Sequence, residues 1–336
     1  MMKKEINGLS LIRVIAVLMV LTVHFGQSLP FPSVIHTPIV WCQHGVQLFF
    51  LLSGFLIFKS LNRNSDIKAF YKKRIIRIVP LYWVVILLNA VIFGMILKTM
   101  PKDNLHLGWL RYFLFLQTII PSLDVGAWNN ISALWTMSAF AWFYLLAPLF
   151  YKLMKNYKRA CMTVVVSLAI GTVFTMAVNQ IAEQSIYADS LRYISGKSPV
   201  AVMWIFLTGG LLVHVLKENR EGVFLLLLSI WGLIYGYYGV TMVVIFAYLI
   251  LLVQGKNFDF GKIINALIHV FDEYSFSIYL AHTTCLEVFS TLRDIYGVSN
   301  IVVAGLSLLS SILLSVCLHF FIEKPFVKRK LVIEKR

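Results

Sequence analysis

Apolar runs recur along the whole chain, separated by short polar or charged segments. A bilayer core needs about 17–25 apolar residues per helix. On that scale ten spans are predicted, near 9–27, 45–60, 78–97, 133–153, 160–180, 199–216, 223–238, 240–254, 270–290 and 300–322. The run 223–254 is broken near Gly236 and Gly239 and reads as a tight helical hairpin. Segment 105–120 is too short to span, and Arg111 interrupts it, so it reads as amphipathic or re-entrant. The fold class expected is all-α: a polytopic integral membrane helix bundle of about ten helices, with 1–336 forming one membrane domain.

Composition agrees. The chain is 59% hydrophobic and 13% charged, whereas soluble domains run at about 45–50% and ~25%. So little charge cannot cover a soluble enzyme of 336 residues, and so apolar a chain does not stay disordered. The net charge of +15 reflects basic cytoplasmic loops rather than nucleic-acid binding. With a cytoplasmic N-terminus, 23 Lys and Arg fall on inside segments and six outside, with Arg13 alone in a span. That asymmetry puts both termini in the cytoplasm, and an odd number of spans would destroy it. No small-x-small cleavage site follows the first apolar run, so it is expected to stay as an uncleaved helix. Cys42, Cys161, Cys285 and Cys317 form no CxxC pair and read as packing residues.

The first span carries two polar groups. Arg13 and His24 are 11 residues apart, a rotation about 20° beyond three turns and a rise of ~16 Å. They share one helix face, the cation near the inner end and the imidazole near the outer. Intramembrane charge is costly and tends to be functional, although an Arg this shallow can snorkel to the headgroups. A neutral imidazole, with an unperturbed pKa of ~6.5, can take a proton from a hydroxyl that attacks a carbonyl. The cation below it can hold an anionic portion of a donor. Such a stripe suits acyl transfer between a donor from the cytoplasm and an acceptor from the other side.

At these residues the chain resembles the acyltransferase-3 family of integral membrane acyltransferases. Arg13 and His24 match the family's Arg-x10-His helix. GVQLFFLLSGFLI at 45–57 resembles its GVDLFFVLSGFLI block, and FYKKRIIRIVPLYW at 70–83 its FxxRRxxRIxPxYW block. WTMS at 135–138 with FYLLAP at 143–148 resembles WSLSVEEQFYLLxP, SIYLAH at 277–282 resembles SIYLxH, and EKPF at 323–326 resembles ExPF. The blocks stand in family order over nearly the whole chain.

The resemblance implies transfer of an acyl group, usually acetyl from acetyl-CoA, to a hydroxyl of an extracytoplasmic glycan, within a bacterial cytoplasmic membrane. O-antigen, capsule or exopolysaccharide, free or lipid-linked, is the acceptor class implied. It implies His24 as catalytic, Arg13 as its partner, and Lys73, Arg74 and Arg77 at the CoA phosphates. Arg suits bidentate phosphate binding, and Arg74 and Arg77 share a face if the third span begins early. The same basic run also reads as plain inside charge in contact with membrane lipids. His282, at a depth comparable to His24, is a further candidate for the active site or an inter-helix hydrogen bond. Asp272, Glu273, Glu323 and Arg329 read as interfacial. His36 and His44 lack a third ligand at suitable spacing, so no metal is expected. The connection 98–132 reads as a lid or acceptor loop.

The chain departs from the family pattern at two places. Gln47 stands at an acidic position, and Phe140 and Ala141 replace paired glutamates. Two chemistries fit the His24 position: direct activation of the hydroxyl, or transient acylation of the imidazole. The competing function is a transporter or exporter of a glycan or small metabolite, although no internal repeat supports it. A glycan polymerase would carry a larger basic outer loop.

Overall fold

Local signals set where the helices begin. The Asn7 side chain accepts from Leu9 N at 3.0 Å and caps α1, Gly8–Ser28. Asp66 caps α4, Ile67–Asn89, by accepting from Ala69 N at 3.1 Å. Asn156 opens α6, Tyr157–Ala182, and Ser198 with Pro199 opens α8, Pro199–Lys217. The remaining helices are α2 His36–Cys42, α3 Gly45–Arg63, α5 Trp135–Leu153, α7 Ala188–Lys197, α9 Val223–Ile234, α10 Tyr238–Val253, α11 Lys262–Tyr296 and α12 Asn300–Leu318. π-helical turns, Ala90–Ile96 and His319–Glu323, continue α4 and α12. These bounds come from a computed structural model, which describes residues 5–29, 36–98, 110–122, 133–218, 223–234 and 238–326.

The result is a polytopic helical membrane bundle. Six stretches are long and apolar enough to cross a membrane: Gly8–Ser28, Pro38–Arg63, Ile67–Ile96, Tyr157–Ala182, Ala188–Lys217 and Asn300–Phe326. Helices α5, α9, α10 and α11 occupy the other four expected positions but are shorter or more polar. The hairpin expected within 223–254 consists of α9 and α10. One feature departs from a purely helical chain. Ile6–Asn7 (β1) pairs antiparallel with Asn257–Phe258 (β2), Ile6 opposite Phe258. This short ladder ties the start of α1 to the segment leading into α11.

Two differences from the expected spans position the site. The third helix begins at Ile67 rather than 78, so Arg74 and Arg77 belong to the same rigid rod as its membrane portion. Helix α11 has 35 residues instead of about 21; at 1.5 Å per residue it is about 52 Å long, well beyond the ~30 Å hydrocarbon core. It stops at Gly297, whose φ of 68° suits a residue without Cβ.

The core is a close crossing of α3 and α8. A Cβ on Gly54 would lie 1.9 Å from Phe206 O, and one on Gly209 would lie 2.1 Å from Leu51 O. Without lipid-driven hydrophobicity, such small-residue contacts hold membrane helices together. Phe206 fills the space beside them, stacked on Phe50 and Phe143 with ring centroids 4.4 and 4.3 Å away.

Between α4 and α5, segment 110–122 is pinned by buried polar groups. Tyr82 Oη donates to Tyr112 O at 2.9 Å, Gln117 Nε2 donates to Leu134 O at 2.9 Å, and Thr118 Oγ1 donates to Ser138 Oγ at 2.8 Å. The residues expected as a lid extend on both sides of it. Of that connection 99–109 and 123–132, including Trp128, lie outside the described residues, as does Arg329.

Candidate functional site

Helices α1 and α11 run parallel and share a seam with a different polar pair at each end. At the inner end the Arg13 guanidinium forms an ion pair with Asp272. At the outer end the rings of His24 and His282 face each other, with centroids 5.2 Å apart and planes tilted by 53°. Arg13 and His24 therefore share the face that their spacing predicted. The stripe is polar only at its ends, however. Val17, Leu21 and Ile278 are buried between them and make the middle of the seam dry.

His282 is completely buried. Its Nδ1 lies 2.8 Å from Tyr279 O and 3.3 Å from Ile278 O. Carbonyl oxygens only accept, so Nδ1 carries the proton and Nε2 is left with a free lone pair. That Nε2 has no hydrogen-bond partner among the described residues. A buried, unsatisfied acceptor is costly, and here it lies in a ring packed against the second imidazole.

The inner basic residues converge from two helices. A cavity of about 140 Å³ is lined by Arg13 of α1, Arg74 and Arg77 of α4, and side chains of α3, α5 and α11. Arg74 lies over the faces of Phe70 and Tyr144, 5.6 Å from each centroid. Its buried Nε has no partner among the described residues. Arg77 is half-exposed and reaches Glu323, Nε to Oε1 at 3.7 Å. Three guanidinium groups in an apolar cavity, one with a spare buried donor, fit an anionic ligand such as a phosphate-bearing acyl donor.

The cavity continues outward past Phe49, Met137 and Phe140 to Tyr279. The Tyr279 ring packs on His282, centroids 5.8 Å apart, and its hydroxyl shares a 2.7 Å hydrogen bond with Thr136 Oγ1. The basic inner chamber and the histidine pair thus meet at one residue.

The structure separates the sequence candidates. It gathers Arg13, Arg74 and Arg77 into one cavity and His24 and His282 into one pair. Lys73 is exposed and does not line that cavity. It lies about 100° from Arg74 and ~40° past Arg77 around the helix, which turns it away. Asp272 and Glu323, expected at the interface, are instead structural partners. Asp272 pairs with Arg13; Glu323 is buried and accepts from His319 Nδ1 at 3.0 Å and from Ser277 Oγ at 3.4 Å. Spacing could have located Asp272. It stands ten residues before His282, as Arg13 stands eleven before His24, and parallel helices require that match.

The divergent positions also have structural roles. Gln47 Oε1 lies 2.9 Å from His44 Nδ1, and an amide oxygen in that contact must accept. Phe140 forms a wall of the cavity and packs edge-on against Phe50, centroids 5.2 Å apart. An aromatic surface thus occupies the place where family resemblance would put a carboxylate.

Comparison with known proteins agrees with this geometry. A family model described as an acyltransferase domain matches residues 6–320. ORF330 of Acidianus two-tailed virus, provisionally named an acetyltransferase, is 25% identical over 273 residues, 76% of each chain. Acyltransferase MdmB of Streptomyces mycarofaciens is 31% identical over 112 residues, 33% of this chain and 29% of that protein. Nodulation protein 10 of Rhizobium leguminosarum bv. viciae is 30% identical over 145 residues, 38% of each. No solved structure matches the chain. With a match that runs from the strand before α1 to the turn after α12, the chain belongs to the acyltransferase-3 family and is a multi-pass membrane acyltransferase.

Proposed function

We propose that the protein moves an acyl group, acetyl in the simplest case, from cytoplasmic acyl-CoA to a hydroxyl of an extracytoplasmic surface glycan. O-antigen, capsule or exopolysaccharide is the acceptor class, and the setting is the cytoplasmic membrane of a bacterium. The observation that carries this reading is the continuity of the site. One cavity joins Arg13, Arg74 and Arg77 to Tyr279, and Tyr279 packs on the histidine pair. The ten-span topology with both termini cytoplasmic follows from the 23-to-six distribution of basic residues, and puts the arginine end on the donor side.

In this mechanism Arg74 and Arg77 hold the donor's phosphates, and Arg13, fixed by Asp272, closes the inner end of the path. His24 takes the proton from the acceptor hydroxyl as its oxygen adds to the acyl carbon. The C–S bond then breaks, and the thiolate leaves with that proton. His282 acts through His24. Its tautomer is set by the Tyr279 carbonyl, and its bare Nε2 can accept from the neighbouring ring and orient it. Mass analysis of surface glycan tests the reading. Acetyl groups should disappear when the gene is deleted, return with the wild-type protein, and stay absent with an inserted His24→Ala variant. Full acetylation in that variant rejects the assignment.

A further inference from the structure

One basic side chain on the outer half of the site has no role in this mechanism. Lys197 ends α7, and its Nζ lies over the Tyr193 ring at 4.1 Å and the Trp135 ring at 5.7 Å. Among the described residues no carboxylate lies within 4 Å of it; nearby Asp189 is instead paired with Arg192. The side chain is half-buried. Thr136, next to the Trp135 that flanks the ammonium, shares a hydrogen bond with the Tyr279 hydroxyl. Lys197 thus lies where α7 meets the start of α5, next to the Thr136–Tyr279 hydrogen bond that leads to His282.

A lysine that only balanced the C-terminal dipole of α7 or snorkelled to headgroups would extend into solvent. This one is held inward by two aromatic faces, with its strongly hydrated ammonium partly stripped of water. Cation–π contact replaces only part of that hydration, so an anion is the expected partner. Aromatic faces beside a cation also suit a sugar ring carrying an acid.

We propose that Lys197, framed by Tyr193 and Trp135, anchors an anionic group of the acceptor, so that the acceptor is an acidic glycan or a phosphate-linked one rather than a neutral sugar. The inference rests on the acyltransferase reading of the same site and adds the acceptor's charge class. Carboxylate and phosphodiester offer the same oxygen chemistry to an ammonium, and they are told apart by probe.

The test uses full-length protein in nanodiscs and three acceptors: methyl glucoside, methyl glucuronide and citronellyl phosphate glucose. Binding is read by saturation-transfer NMR without acyl donor, and transfer is read as kcat/KM with acetyl-CoA. The wild type should favour one anionic probe over the glucoside by about ten- to a hundredfold, the range for one charge-assisted hydrogen bond. The glucuronide preferred points to an acidic sugar, the phosphate ester to a lipid-linked carrier. Lys197→Met should bring the ratio near one through KM, and Lys197→Arg should retain it. Equal binding of all three probes by the wild type overturns the proposal. So does a Lys197→Met variant that keeps the preference, or that lowers kcat alike for every acceptor. Failure of the acyltransferase reading is separate: it would be seen as binding without any acetyl transfer.

Discussion

The two ends of the α1–α11 seam solve the same problem in opposite ways. At the inner end a cation meets a carboxylate, and Arg13 and Asp272 satisfy each other. At the outer end two imidazoles meet, and one buried nitrogen has no partner among the described residues. A folded protein pairs its buried polar groups unless something else is gained. The inner pair sets the register of two parallel helices. The outer pair, aligned by that register, keeps a lone pair available beside His24, the proposed proton acceptor. On the proposed mechanism, the difference separates a structural use of intramembrane polarity from a chemical one.

Substitutions at the two ends should therefore fail differently. The largest effect is expected for His24→Ala, with acyl transfer reduced by about 10²–10⁴-fold, the range of a general base. Its detergent melting temperature should stay within a few degrees of wild type. Unfolding of that variant would move His24 into the structural class. Asp272→Ala should do the reverse, lowering melting temperature and yield by leaving Arg13 uncompensated. Arg13→Ala/Asp272→Ala should recover part of that stability, since it removes both charges; a double variant less stable than Asp272→Ala would contradict the pairing. Arg74→Ala should raise KM for acyl-CoA about tenfold with a smaller change in kcat, as loss of one phosphate contact does. Lys73→Ala, outside the cavity, should change neither constant by more than about twofold, in line with an exposed surface charge. Equal effects of Arg74→Ala and Lys73→Ala would mean the basic run acts only through bulk charge.

Much of this was legible in the residues, and the exceptions have physical causes. Apolar run length revealed the bundle, and helical periodicity put Arg13 and His24 on one face. Periodicity does not report what lies across a helix interface, so Asp272 and Glu323 read as interfacial charges and nothing singled out Lys197. Their burial depends on the length of α11 and on how α7 meets α5. Segment 67–77 is too charged to read as part of a span from sequence alone. Asp66 nevertheless caps a helix there, and the helix carries Arg74 into the cavity. The dry middle of the seam was hidden too, because Val17 and Leu21 look the same in sequence whether they pack together or flank a channel.

The central claim is that one path connects an inner donor chamber to an outer histidine pair. Sealed, inside-out membrane vesicles test it directly. With labelled acetyl-CoA added outside and acceptor glycan trapped in the lumen, the account predicts labelled glycan inside the vesicle, none with His24→Ala, and no free acetyl-CoA crossing the membrane. Label appearing only when donor and acceptor share one side, or equally with the His24 variant, would contradict it.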